Sequence, residues 1–270
     1  MYRKFNKSSN KVDYNGLLIR SRLLTNIANN VNGINPNKVN NPNHNNPNNI
    51  NPNNPNNVNH NIEIPTFNIL IATIGRDSLE TLLESLVDQL TERDCITIVF
   101  DNNTIRSLKN KDKLKCKIII YNESSKLGFW GHGIRNKYSR RIEYRDFILH
   151  ADDDDTYFPN AFDKLRKICK SNDILYIAKV IHRNKRIVPC NNDIKLGNVS
   201  TQCGIVPYRY NIEGNWGYFY GGDALYYIEI IRKFRRSKIL DIYLYNYENT
   251  DENLTFFKNL TNLSSSQHNI

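Results

Sequence analysis

The sequence predicts an α/β fold with a mixed, mostly parallel central sheet. Three observations carry that prediction. From residue 67 onward, apolar runs of strand length alternate with helical patterns, the order that gives a layered sheet with right-handed crossovers. Leu79, Leu82, Leu83, Leu86, Val87 and Leu90 recur at i, i+3, i+4, i+7, i+8 and i+11, which puts them on one face of a helix. Finally, Thr73, Asp101 and Asp152 each stand where an apolar strand run ends. Ligands of open α/β sheets lie outside the carboxyl ends of the strands, so these three residues mark one candidate site.

Taken in order, residues 1–28 hold a mixed segment, 12–27, with helical potential but no core of its own. Residues 29–61 are almost entirely asparagine and proline, with Asn-Pro-Asn recurring at Asn35, Asn41, Asn46 and Asn51. Proline excludes helix and central strand, and the stretch has nothing to bury. It is expected to be a disordered N-terminal extension spanning 1–61, ahead of one folded domain, 62–270. Residues 67–73 form the first buried-strand pattern. Asp77, with Glu80 three residues on, has the spacing of a capping box at the start of the leucine helix. Residues 96–100 and 117–121 give the second and third strands. A glycine-rich loop, 128–133, opens a basic helix over about 134–144. Residues 147–151 form the fourth strand. Pro159 suits the first turn of a helix carrying Phe162, Leu165 and Ile168. Residues 174–181 and 186–189 read as a strand pair, and 224–235 as a later helix.

The net charge of +10 over 270 residues asks for an anionic partner or a solvated basic surface. The basic residues are spread through 135–145, 179–186 and 232–238, without a zinc-finger, RNP-like or recognition-helix pattern. Nucleic acid is therefore not expected; a solvated surface with modest attraction for a nucleotide diphosphate is. The five cysteines are scattered without CxxC spacing, which indicates neither a zinc site nor a disulfide framework and fits a reducing compartment. No apolar stretch has the length of a membrane span, and no signal-peptide core follows the basic start. The expectation is a soluble, cytoplasmic protein without a transmembrane segment.

The run Asp152-Asp153-Asp154-Asp155 follows directly on an apolar strand. Adjacent carboxylates repel and raise one another's pKa unless a cation lies among them. Alternation along an extended chain sends Asp152 and Asp154 one way and Asp153 and Asp155 the other. One pair would then face a ligand, and the other would cap the next helix or contact a ribose. Hard oxygen ligands suit Mg²⁺ or Mn²⁺ shared with substrate phosphates. A capping or solvated cluster is the competing reading.

Four features over about 62–260 now resemble the GT-A glycosyltransferases, most broadly family 2. They are the opening strand and helix with Thr73-Ile74-Gly75-Arg76, the Phe100-Asp101-Asn102-Asn103 end of the second strand, the Gly133-Ile134-Arg135-Asn136 stretch before the fourth, and the DxD-containing run Ala151-Asp152-Asp153-Asp154-Asp155-Thr156-Tyr157. The last is similar to the run of the β-1,3-glucuronosyltransferases, with Asp155 in place of their asparagine. The resemblance implies a nucleotide-sugar-binding half, 62–160, and an acceptor-binding half, 161–270. It implies that Asp154 binds Mn²⁺ or Mg²⁺, that Asp152 contacts ribose or metal-bound water, and that Asp153 contacts the ribose. Thr73, Arg76 and Asp101 would hold the nucleoside. Arg135 would reach the diphosphate or the donor sugar, unless it is a surface helix arginine. The donor would be a nucleotide-sugar, UDP-linked by family frequency, and the acceptor a glycan, protein or small molecule.

In the later half, the segment 214–223 is rich in glycine and aromatics. Aromatic faces stack on sugars, and glycine admits close approach. Trp216, Tyr220, Gly221, Gly222 and Asp223 are thus candidate acceptor-binding residues, against the alternative of a turn beside an aromatic core. The family's Glu-Asp motif aligns with Thr250-Asp251, which makes Asp251 the candidate base, with Glu252, Glu248 and Asp223 as rivals. The family's late metal-binding histidine matches His268 in position, though His268 stands in a polar tail. The resulting expectation is a metal-dependent, inverting glycosyltransferase. A non-catalytic sugar- or nucleotide-binding module on a degenerate transferase fold is the alternative. A sugar-phosphate nucleotidyltransferase ranks below both, because 73–76 is too short for its glycine-rich loop.

Overall fold

The long buried strands follow from uninterrupted apolar runs. In the computed structural model, which describes residues 62–182 and 185–266, β1 (Phe67–Thr73) and β2 (Cys95–Phe100) are buried along their whole length. The strand β4 (Phe147–Asp152) is buried up to its last residue. Parallel strands covered on both faces read this way. The edge strand β3 (Lys117–Asn122) is only part-buried. Later come β5 (Thr156–Tyr157), β6 (Leu175–Ile181), β7 (Ile187–Val188), β8 (Gly204–Pro207) and β9 (Ser237–Asn246). Together they make a nine-stranded mixed sheet in the order β3-β2-β1-β4-β8-β6-β9-β5, with β7 beside β6. The pairs β3–β2, β2–β1 and β1–β4 are parallel, and so is β6–β9, whereas β8 runs antiparallel to both β4 and β6.

Six helices cover the described sheet: α1 (Ser78–Glu84), α2 (His132–Tyr138), α3 (Ala161–Ile168), α4 (Tyr208–Glu213), α5 (Gly222–Phe234) and α6 (Asp251–Ser266). Alternation divides β1 between two layers. Ile69 and Ile71 join the main core with Leu79, Leu82, Leu83 and Phe162, while Leu70 and Ala72 pack with Ile134 and Tyr138 on the other face. The sheet and the main core run through both halves of the domain.

Several boundaries shift from expectation. The α1 helix stops at Glu84, although Leu86 and Leu90 stay buried in the turns that follow. The expected capping box does not form. Asp77 bonds Arg106 instead, and the Glu80 carboxylate accepts the backbone N–H groups of Lys109 and Asn110 at 2.9 and 3.1 Å. The basic helix ends at Tyr138 rather than near 144. Pro159 precedes α3, whose N-cap is Asn160. The short strands β5 and β8 and the long β9 carry no pattern that the sequence reading recognised. All five cysteines are free, and among the described residues no helix is long and apolar enough to cross a membrane. The extension 1–61 and His268 lie outside the described residues.

Candidate functional site

Chain order places β2 and β3 on one side of β1 and β4 on the other, so the strand order reverses between β1 and β4. That switch point is where an open α/β sheet forms a crevice. The register sets Ala72 beside Asp152, which brings Thr73 and Arg76 to the acidic run.

Burial alternates along the run, although the chain leaves the strand at Asp152 and turns through Asp153 and Asp154, with the Asp155 N–H 3.4 Å from the Asp152 carbonyl. Asp153 and Asp155 are 3% and 1% exposed, whereas the side chains of Asp152 and Asp154 keep 32% and 38% of their surface. Asp153 accepts from Thr73 Oγ1 at 2.5 Å and lies 3.2 Å from Arg76. Burial raises its pKa despite both partners. Asp155 accepts from Gln202 Nε2 and from the Glu248 backbone N–H, and its pKa is driven well above the carboxylate range by burial and by Asp152. Arg76, half-exposed, also bonds Asp154. Asp152 is held on both oxygens, by Arg135 at 2.5 Å and by Gln202 at 2.8 Å.

Arg135 is neither a surface arginine nor an open donor ligand. It is wholly buried. Its fork donates to the carbonyls of Trp130 (2.8 Å) and Ala151 (3.2 Å) as well as to Asp152, and it lies over the Trp216 ring at 5.2 Å. One guanidinium therefore ties the end of β4 to the loop before α2. Asp101 ties the same loop from the other side, accepting from the Leu127 and Gly128 N–H groups at 2.7 and 3.0 Å. The tethered backbone is strained. Gly128, Phe129, Trp130 and Gly131 have φ of 62, 54, 52 and 81°, a conformation that costs on the order of 1–3 kcal/mol for a non-glycine residue and clusters at functional sites. At Gly131 a Cβ would stand 2.6 Å from the Arg135 guanidinium and 2.8 Å from Ala72.

The loop 214–221 is gripped by α2. Asn136 bonds the Trp216 backbone in both directions, at 2.7 and 2.9 Å, and the His132 ring bonds the Gly217 carbonyl at 2.6 Å. Gly221 has φ of 88° and opens α5; at Gly222 a Cβ would stand 2.1 Å from the Gly217 carbonyl. Asp223 follows in the first turn of α5. Burial and the nearby Asp152 push its pKa up to about 6, against the opposing pull of Arg135. His150, two residues before the acidic run, is fully buried; its Nε2 meets Asn211 at 2.9 Å, and burial keeps it neutral.

The crevice brings together Thr73, Arg76, Arg135 and Asp152 through Asp154, but it redistributes their roles. Thr73, Asp101 and Asp153 are turned into the protein, because buried polar atoms are satisfied internally. They support the crevice rather than line it, and Arg76, Asp152 and Asp154 are the charged groups whose side chains stay part-exposed. Trp216 corrects the stacking expectation. It is 1% exposed and stacked on Tyr226 at 4.1 Å, so no face is free for a sugar. Asp251 and Glu252 are exposed in the first turn of α6, with Glu252 paired to Lys185 at 3.0 Å. Gln202, His150 and Asn211 escaped the sequence reading because no motif surrounds them. Phe129 and Trp130 carry a visible signal, two aromatics between glycines.

Among the described residues no cluster of three or more His, Cys, Asp or Glu side chains encloses a metal. Mg²⁺ and Mn²⁺ need fewer, since one or two carboxylates suffice when phosphates complete the shell. Asp152 and Asp154 fit that requirement: both are hard, part-exposed carboxylates, and Arg76 and Arg135 pair with three aspartates, Asp152, Asp153 and Asp154.

This architecture, with the acidic run at the switch point, is the GT-A fold of glycosyltransferases. Residues 1–349 of S. aureus TarS match it with a TM-score of 0.54 and 19% identity, over 67% of this chain and 60% of that one. TarS in complex with UDP-GlcNAc matches with a TM-score of 0.51 and 18% identity, over 67% and 57%. The chain thus spans 60% of the TarS fragment. No protein-family model and no curated protein matches the sequence.

Proposed function

We propose that the chain transfers a sugar from a nucleotide diphosphate donor, UDP-linked, to an acceptor hydroxyl, with metal assistance and inversion. The observation that carries this reading is the convergence of Arg76, Asp152 and Asp154, the open charged groups, on the crevice between β1 and β4. TarS, of like fold, is known in complexes with UDP and UDP-GlcNAc, which supports a UDP-linked donor. A bound Mn²⁺ or Mg²⁺ would neutralise the departing diphosphate, held through Asp152 and Asp154. Arg76 supplies a planar fork of donors suited to phosphate oxygens. Arg135 and Gln202 fix both oxygens of Asp152 and so keep it aimed.

Asp223 is the base in this reading. A carboxyl tuned to about 6 is half or more ionised at neutral pH and still basic enough to take a hydroxyl proton. The proton passes to Asp223, the acceptor oxygen bonds the anomeric carbon, and the bond from that carbon to the diphosphate breaks on the opposite face with its electron pair. Asp251 and Glu252 have the weaker support, since both are solvated and Glu252 is already paired.

Thermal melting against UDP, GDP, CDP and their sugars, with Mn²⁺ or with EDTA, tests the proposal. A ligand at a hundred times its Kd adds about 2.7 kcal/mol. The expected result is a Mn²⁺-dependent rise with UDP and UDP-sugars. No rise with any nucleotide would overturn the donor site and favour a non-catalytic module.

A further inference from the structure

Two loops raise four solvent-facing aromatic rings beside this crevice. Phe129 and Trp130 are 50% and 64% exposed, and Tyr218 and Tyr220 are 55% and 84% exposed. They pair across the loops: Phe129 meets Tyr218 at 4.8 Å, and Trp130 meets Tyr220 at 5.8 Å, with interplanar angles of 59° and 75°. A contiguous exposed apolar group of this kind marks a binding surface rather than scattered surface residues. Nor is it loosely held. The Trp130 carbonyl is bonded by the arginine that fixes Asp152. The partner loop is clamped by His132 and Asn136. The backbone keeps Phe129 and Trp130 at positive φ between two glycines.

We propose that Phe129, Trp130, Tyr218 and Tyr220 form an acceptor clasp that takes a saccharide ring by its C–H face. The proposal rests on the transferase reading and adds the class of acceptor. Three features favour a sugar over a purely apolar occupant. The tilted pairs leave ring faces and edges open together, which suits a ligand with both C–H and O–H surface. The two tyrosines bring hydroxyls to the rim. Asp223 lies three residues after Tyr220, so a ring seated in the clasp has a carboxylate at hand for its reacting hydroxyl. Trp216 is not part of the clasp: its ring is buried against Tyr226 and His150.

The chain has two tryptophans, of which Trp216 is buried and Trp130 is exposed. Acrylamide quenching of tryptophan fluorescence therefore reports chiefly on Trp130. The probes are the methyl β-glycosides of glucose, galactose and N-acetylglucosamine at millimolar concentration, each with and without UDP and Mn²⁺. At least one glycoside should reduce quenching twofold or more, and Tyr220→Ala and Tyr218→Ala should abolish that protection. If no glycoside protects while the UDP-induced rise in melting temperature persists, the clasp is wrong and the donor site stands. Equal protection by UDP alone would assign the rings to the nucleotide, and protection growing with protein concentration would assign them to a second copy; either overturns the proposal. Failure of the transferase reading itself appears separately, as a missing UDP rise.

Discussion

Asp223 joins ionisation to function at the scale of one residue. Its carboxyl is raised from an ordinary 3.8 to about 6 by burial and by Asp152. A folded-state value above the unfolded one means that the folded chain holds the extra proton between about pH 4 and 6. This group's contribution to stability is thus largest at acid pH and falls as pH rises through about 6. Activity has the opposite sign, because the base is the ionised form. We expect kcat/KM to rise with an apparent pKa near 6, and Asp223→Asn to lower turnover by about 10²- to 10⁴-fold with UDP binding retained. A pH profile and turnover unchanged in that variant would move the base to Asp251. Asp154 gives a second test. Its contact with Arg76 is a part-exposed pair, worth about 0–1 kcal/mol, so Asp154→Asn should leave the melting temperature of the free protein nearly unchanged. The Mn²⁺-dependent UDP rise should vanish. A variant that keeps the rise would remove Asp154 from the metal site.

At the scale of elements, the loop 127–131 transmits position between strands. Asp101 at the end of β2 and Arg135 on α2 hold it, and Arg135 also holds Asp152 at the end of β4. Gly131→Ala would place a methyl against Arg135 and Ala72 at a φ of 81°. The expected cost is on the order of 1–3 kcal/mol, seen in denaturant unfolding. Turnover should fall further than stability explains, because displacing Arg135 releases Asp152. Wild-type turnover in a destabilised Gly131→Ala protein would show that the loop serves folding alone. The shortening of α1 and α2 belongs to this scale too. Leucine spacing runs on to Leu90, but the backbone leaves the helix after Glu84 while the later leucines still reach the core. Periodicity reports which residues are buried, and a turn can bury them as well as a helix can.

For the whole molecule, the described fold begins at Ile62, whose N–H bonds the Lys170 carbonyl at 2.8 Å. The Asn/Pro-rich stretch before it has only scattered apolar residues to contribute to a core. Removing 1–61 should leave the melting temperature and UDP-sugar hydrolysis unchanged. A large loss of stability would show that the extension packs on the domain. The strands of the parallel half and the site at their carboxyl ends were legible in the sequence, because fully buried strands must be apolar throughout and their polar ends then stand out; the strand order was not. The four aspartates do alternate in burial, but in a turn rather than an extended strand, so the period of two is not the cause. What the tertiary structure decided was which polar groups remain open. Thr73, Asp101, Asp153 and Arg135 look like ligands in the sequence, yet each is consumed by a partner from a distant segment. Gln202 and Asn211 carry no signal until the chain closes around them. Trp216 and Trp130 are alike as letters, and only packing made one a core residue and the other a surface. Local pattern determines strand, face and period; the burial of a given side chain depends on contacts between residues far apart in the chain.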